Sequence, residues 1–114
     1  MSGRSAIDEA KKGSAEIVIL AIVEQESHHG YEIARLIEAR TDGSLRFTLA
    51  SLYATLYRLE DRGWITAEWG TSPEGKRAKF YTLTREGRKQ FAAERSQWRL
   101  FSSAVEQVLA ATAI

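Results

Sequence analysis

The sequence predicts a mainly α fold with a small β-hairpin, a winged helix-turn-helix domain followed by a long C-terminal helix. Three observations predict it: three helical segments in succession between Ser14 and Arg62, two alternating segments around the turn signal Ser72-Pro73-Glu74-Gly75, and one amphipathic run from Thr84 to about residue 111. Three helices followed by a two-stranded hairpin is the winged form of the helix-turn-helix, in which the helix before the hairpin enters the major groove of DNA. With 114 residues the chain has room for a single core, because halves of that length would each bury too little surface.

Residues 1–12 are small and polar and are expected to be a flexible N-terminus. Ser14–Gln25 contains Ile17, Val18, Ile19, Leu20, Ala21, Ile22 and Val23, apolar on every side, so periodicity alone does not separate helix from buried strand. Length and context make it a helix. His28-His29-Gly30 is read as a break. From Gly30 to Arg40 the residues Tyr31, Ile33, Ala34, Leu36 and Ile37 form a stripe against Glu32, Arg35, Glu38 and Arg40, and Thr41-Asp42-Gly43 stops this second helix. A connection over Thr41–Phe47 leads to Thr48, the expected N-cap of a third helix. In that helix Leu49, Leu52, Tyr53, Leu56 and Leu59 recur at helical spacing, and Gly63 ends it. Trp64–Trp69 and Ala78–Leu83 alternate on either side of a type I turn with Pro at its second position, which makes a hairpin. Thr84 is the expected N-cap of the last helix, with Glu86 in its first turn.

Composition narrows the function. The chain has no cysteine, which removes disulfides, thiolate metal sites and cysteine nucleophiles together. The longest apolar run, Ile17–Val23, falls far short of the roughly 20 residues that span a bilayer, and no signal-peptide pattern surrounds it. The expectation is a cytoplasmic protein with no membrane segment. The net charge of +1 is unevenly distributed. Between Glu74 and Lys89 six basic residues, Lys76, Arg77, Lys79, Arg85, Arg88 and Lys89, face only Glu74 and Glu86, a net +4 that leaves −3 for the remainder. A basic segment on a mildly acidic body is the distribution expected where one face meets a polyanion.

With Leu52, Tyr53, Leu56 and Leu59 turned inward, the third helix presents Ser51, Ala54, Thr55 and Arg58 outward. Small residues let a helix approach the groove floor, hydroxyls bond bases or phosphates, and an arginine fork suits guanine or phosphate. A hairpin tip with Lys76 and Arg77, and Lys79 close behind, suits the phosphate backbone or an adjacent minor groove. Each of these side chains taken singly is also compatible with an ordinary solvated surface.

Several segments, in order, carry a family resemblance: His29-Gly30-Tyr31-Glu32-Ile33; Ser51-Leu52-Tyr53; Leu59-Glu60 with Gly63-Trp64-Ile65; Arg77 through Tyr81-Thr82-Leu83-Thr84; and Gly87-Arg88-Lys89. Together they resemble the PadR family of bacterial transcriptional regulators, in its short-tailed branch with a single C-terminal helix. The resemblance runs from about Lys12 to Val108. It implies a homodimeric winged-helix repressor that binds a palindromic operator and is released by a small molecule or another signal. It also implies that Tyr53, Ser51 and the wing residues Lys76 and Arg77 lie against the DNA backbone, with Tyr31 contributing from the second helix; the residue pattern itself adds Thr48, Thr55, Arg58 and Lys79 as candidate DNA contacts. Members of the family usually have Pro-Gly before the Ser and Pro after the Tyr, where this chain has Leu49-Ala50 and Ala54. Those differences favour a more regular helix start.

On the last helix, Phe91, Trp98, Val105 and Thr112 fall seven apart, as do Gly87, Glu94, Phe101 and Val108, an a/d seam interrupted by Glu94 and Thr112. So small a wing domain cannot cover that seam, so Phe91, Trp98, Phe101, Val105 and Val108 are read as a dimer interface. A symmetric dimer would set two recognition helices about 34–36 Å apart, one turn of B-DNA. The resemblance also raises a planar aromatic effector stacked on Trp98, although a Trp that simply fills the dimer core is the favoured reading. Trp64 and Trp69 are assigned to hairpin packing.

Two rival functions have less behind them. His28 and His29 are the only histidines, adjacent and pointing apart, and there is no phosphate loop, nucleophile elbow or marked carboxylate pair. No enzyme activity and no cofactor are therefore expected. A winged helix that docks another protein would leave the basic wing unexplained, and salt dependence separates it from a DNA binder.

Overall fold

The computed structural model describes residues 6–112 and the side chains of residues 14–111. In chain order the elements are α1 (Ala6–Gln25), β1 (His28–His29), α2 (Gly30–Arg40), α3 (Leu49–Asp61), β2 (Ile65–Thr71), β3 (Arg77–Leu83) and α4 (Arg85–Thr112). Helix α1 starts earlier than expected. Residues 6–12, within the segment expected to be a flexible N-terminus, continue it, while residues 1–5 lie outside the described part.

The all-round apolar character of α1 follows from its position. It packs against α2, α3, α4 and β3, and Ala15, Ile19, Leu20, Ile22 and Val23 are all buried. A helix with neighbours on several sides has no polar stripe to reveal its period. Around it Ile33 and Ile37 of α2, Leu52, Leu56 and Leu59 of α3, Ile65, Tyr81 and Leu83 of the sheet, and Phe91 of α4 close one core.

The helix ends follow local chemistry. Helix α2 is capped by His29, whose Nδ1 accepts from the Glu32 amide at 3.3 Å. It closes with Gly43 N–H donating to the Glu38 carbonyl and Asp42 N–H to the Ala39 carbonyl, with Asp42 left-handed at φ 50°. Helix α3 starts on Thr48, whose Oγ1 accepts from the Ser51 amide at 3.1 Å. This is the regular start favoured by Leu49-Ala50. It ends in the same arrangement, Trp64 N–H to the Leu59 carbonyl and Gly63 N–H to the Glu60 carbonyl, with Gly63 at φ 80°.

The expected hairpin is part of a three-stranded antiparallel sheet of order β1-β3-β2. The segment expected to be a break is a short strand, with His28 opposite Tyr81 and His29 opposite Phe80. Two residues are too few to show alternation, which is why the sequence reads only as a break there. Strands β2 and β3 pair from Ile65 opposite Leu83 to Thr71 opposite Arg77. Ser72 clamps the turn: its N–H donates to the Lys76 carbonyl at 2.7 Å, and its Oγ accepts from the Lys76 amide at 3.1 Å.

Thr84 ties α4 to the sheet. Its Oγ1 accepts from the Gly87 amide at 2.9 Å and faces the Gly63 carbonyl at 2.6 Å, while its own N–H donates to the Trp64 carbonyl at 3.0 Å. A side chain at residue 87 would run into that same Trp64 carbonyl, so only glycine lets the first turn of α4 lie against the start of β2. Its 28 residues then extend about 42 Å at 1.5 Å per residue, well past the core.

Candidate nucleic-acid interface

The strand register places the wing chemistry. Residues opposite one another share a face, so Ile65–Leu83, Ala67–Tyr81, Trp69–Lys79 and Thr71–Arg77 lie on one side of the sheet. At the base this side is core, with Ile65, Tyr81 and Leu83 buried. Toward the tip the helices no longer cover it, and the same face carries Trp69, Lys79 and Arg77. The Arg77 guanidinium lies 4.6 Å from the Trp69 ring centroid and the Lys79 ammonium 5.9 Å from it. Trp69 thus packs across the hairpin, as assigned, yet is 59% exposed, so much of the side chain faces solvent. Trp64 does pack against the core, with Arg62 5.0 Å over its ring.

Between this face and α3 runs a groove of about 740 Å³, lined by Tyr31, Tyr53, Tyr57, Trp69, Lys76, Arg77 and Lys79 together with His29, Ser72, Glu74, Ala78 and Tyr81. Of the expected DNA-contacting residues it brings together Tyr31, Tyr53, Lys76, Arg77 and Lys79. Thr48 and Ser51 are exposed at the start of α3. Tyr53 is positioned by Gly30: a Cβ on that glycine would lie 2.5 Å from the Tyr53 hydroxyl oxygen, so the phenol occupies the space of the missing side chain. That contact fixes the ring at the N-terminus of α2. Tyr81, at the floor of the groove, has its phenol pushed up to about 12 by burial and, secondarily, by the Glu60 carboxylate, and so stays neutral at physiological pH.

Two expected contacts are corrected. Helix α3 is rotated from the expected setting, so that the inward stripe is Leu52, Thr55, Leu56 and Leu59. Thr55 is 1% exposed, and its hydroxyl donates to the Ser51 carbonyl at 2.9 Å, which removes the cost of burying it. Arg58 turns back toward α1, with Nε 3.4 Å from Glu16 Oε2 and Nη2 donating to Thr55 Oγ1 at 3.1 Å. Arg62 grips the same carboxylate at 2.9 Å. The rotation brings out a residue the sequence reading missed, Tyr57, 59% exposed and 6.5 Å from the Tyr53 ring centroid. Its spacing of four from Tyr53 was the available signal.

On α4, Phe91 is 3% exposed and belongs to the subunit's own core, which corrects its placement in a dimer interface. Beyond it Trp98, Phe101, Val105 and Val108 are exposed along one stripe. The Trp98 and Phe101 ring centroids are 6.3 Å apart. The side chain of Thr112 lies outside the described residues. Among the described residues no three His, Asp or Glu side chains gather as a metal set, and no helix is long and apolar enough to cross a membrane.

Comparison with known proteins agrees with this fold. A family described as the transcriptional regulator PadR-like family matches residues 19–93. An uncharacterised protein of Lysinibacillus sphaericus is 31% identical over 87 residues, covering 76% of this chain and 80% of that protein. Among solved structures, a transcriptional regulator from Clostridium thermocellum superposes with a TM-score of 0.78 at 26% identity, over 91% of this chain and 96% of the other. A PadR-like transcriptional regulator from Bacillus cereus gives 0.76 at 27% identity, over 89% and 96%. A PadR family transcription regulator from Clostridium difficile gives 0.71 at 29% identity, over 83% and 97%.

Proposed function

The chain belongs to the PadR-like family of transcriptional regulators, and we propose that it acts as a homodimeric, non-enzymatic repressor in the cytoplasm, bound to a palindromic operator. The observation that carries this reading is the pairing of a basic wing, Lys76, Arg77 and Lys79, with the exposed start of α3 across one groove. Thr48 and Ser51 at that start would face the major groove, Tyr31 and Tyr53 the flanking phosphates, and the wing cations the backbone beyond. In this reading residues 13–84 are the DNA-binding unit and residues 85–114 the dimer-forming arm. The boundary is functional, since Phe91 seals the first unit's core. Trp98 fills the dimer seam as an aromatic anchor.

Fluorescence anisotropy against the DNA upstream of its own coding sequence and against a scrambled duplex, titrated across salt, tests the reading. The expected result is a preference for the native DNA of at least about 100-fold, a floor below the roughly 10³–10⁷ typical of specific regulators, with log affinity falling steeply with log salt. Binding that ignores salt would overturn it in favour of a protein-docking role.

A further inference from the structure

Duplex recognition does not explain all of the groove between α3 and the wing. Phosphates need cations and hydroxyls, and base edges need hydrogen-bonding groups, because the base faces of B-DNA are stacked on one another and hidden. Yet ring faces dominate this groove. Tyr31, Tyr57 and Trp69 are 55%, 59% and 59% exposed, and Tyr53 lies beside Tyr57. Tyr57 stands open to solvent and Trp69 carries the Arg77 guanidinium over its ring, and rings and a guanidinium plane arranged this way suit a partner that shows a π-face of its own. The groove's charged side chains are Lys76, Arg77 and Lys79 against Glu74, so such a partner should be an anion. Its volume of about 740 Å³ falls in the range of small-molecule sites, roughly 300–1,000 Å³.

We propose that this groove is a binding site for a flat aromatic anion of nucleotide size, which stacks on Tyr57 and the Trp69–Arg77 pair and sets its anionic group against Lys76 and Lys79. The surface is a stacking platform flanked by cations, the combination that holds unpaired nucleotides. Because Tyr53, Lys76 and Arg77 also serve the proposed DNA contact, ligand and operator exclude each other, giving a release route far from Trp98. The competition rests on the function proposed above; the binding itself does not.

Calorimetry on the full chain without DNA tests the site, with AMP as probe and adenosine and ribose 5-phosphate as its halves. AMP should bind, with each half weaker by about tenfold or more, within the 1–3 kcal/mol of one base stacked on an aromatic side chain. Tyr57→Ala should lose a similar factor and Tyr57→Phe should retain affinity; Tyr57 is exposed, and a thermal melt checks that both variants fold. Naphthalene-2-sulfonate distinguishes the sources: binding like AMP means that any flat anion suffices, and weaker binding means that base edges or sugar are read. Absence of binding by both probes at about 10 mM, far weaker than the micromolar range expected for a fitted site, overturns the proposal. So does a Tyr57→Ala protein that binds as the parent does. A separate anisotropy titration, adding AMP to the protein–DNA complex, reports the competition, and its failure beside intact AMP binding would count against the shared site alone.

Discussion

Gly30 gives α2 its starting point and Tyr53 its place, because the phenol lies where a Cβ would otherwise be. Gly30→Ala is expected to cost about 1–3 kcal/mol, the range for overpacking a filled site, read as a shift in the urea midpoint. It should also weaken DNA binding, since Tyr53 must leave the α2 N-terminus. Adding Tyr53→Leu should recover part of the stability and none of the affinity, so that the double variant is less unstable than the two single effects combined. Tyr81 supplies a prediction in pH. The phenol titrates near 10 in an unfolded chain and at about 12 in the fold, so the native state holds the proton more tightly. Its contribution to stability is complete below the lower value and is lost as pH rises through that window. Urea midpoints should fall from about pH 9 to about pH 11.5, and Tyr81→Phe should flatten that fall. An equally steep fall in the variant would remove Tyr81 as the cause.

At the scale of elements, the wing is where strand register turns sequence into a site. Register puts Trp69 and Lys79 opposite one another, and the loss of helix cover toward the tip changes one face from core to groove. The helices from α3 onward and the hairpin were legible because they carry their own punctuation, Thr48 and Thr84 as caps, Gly63 as a helix end, Pro73 and Gly75 at the turn, while β1 and the start of α1 have none. The rotation of α3 was less so. A threonine at an inward position looks polar in sequence, and only the bond from its hydroxyl to the Ser51 carbonyl makes burial acceptable. Arg58 was misread for a related reason, since its partner Glu16 lies 42 residues away and no local pattern announces it. The groove's cations were readable from charge alone, while its rings came from a tyrosine spacing and a strand face that the basic residues overshadowed. Removing the cations gives the corresponding prediction. Lys76→Ala combined with Arg77→Ala should weaken binding to native and scrambled duplexes alike, and should make the slope of log affinity against log salt shallower by roughly 0.9 for each phosphate that is no longer neutralised. Unchanged slopes would take the wing out of the DNA interface.

At the scale of the whole molecule, α4 joins two tasks that the heptad pattern presents as one. Its first turns complete the subunit's core through Phe91 and lock onto the sheet through Thr84 and Gly87. Its far half carries Trp98, Phe101, Val105 and Val108 along a stripe with exposures of 47%, 63%, 38% and 65%. Spacings of three, four and three residues keep these four side chains on one seam. Apolar surface of this extent is costly in water and is the kind that marks an interface. A second copy, packed through its own α4, would cover like with like, as twofold symmetry requires. Phe101→Glu places a charge in the middle of that seam, and in a symmetric dimer the two copies of it fall near each other. The expected outcome in sedimentation is a monomer whose fold, by circular dichroism, is intact, because residue 101 lies outside the core. Affinity for a palindromic duplex should then drop toward that of a single half-site, while binding to an isolated half-site changes little. If the variant stays a dimer, the subunits meet elsewhere, and the spacing of about 34–36 Å between recognition helices loses its support from this helix.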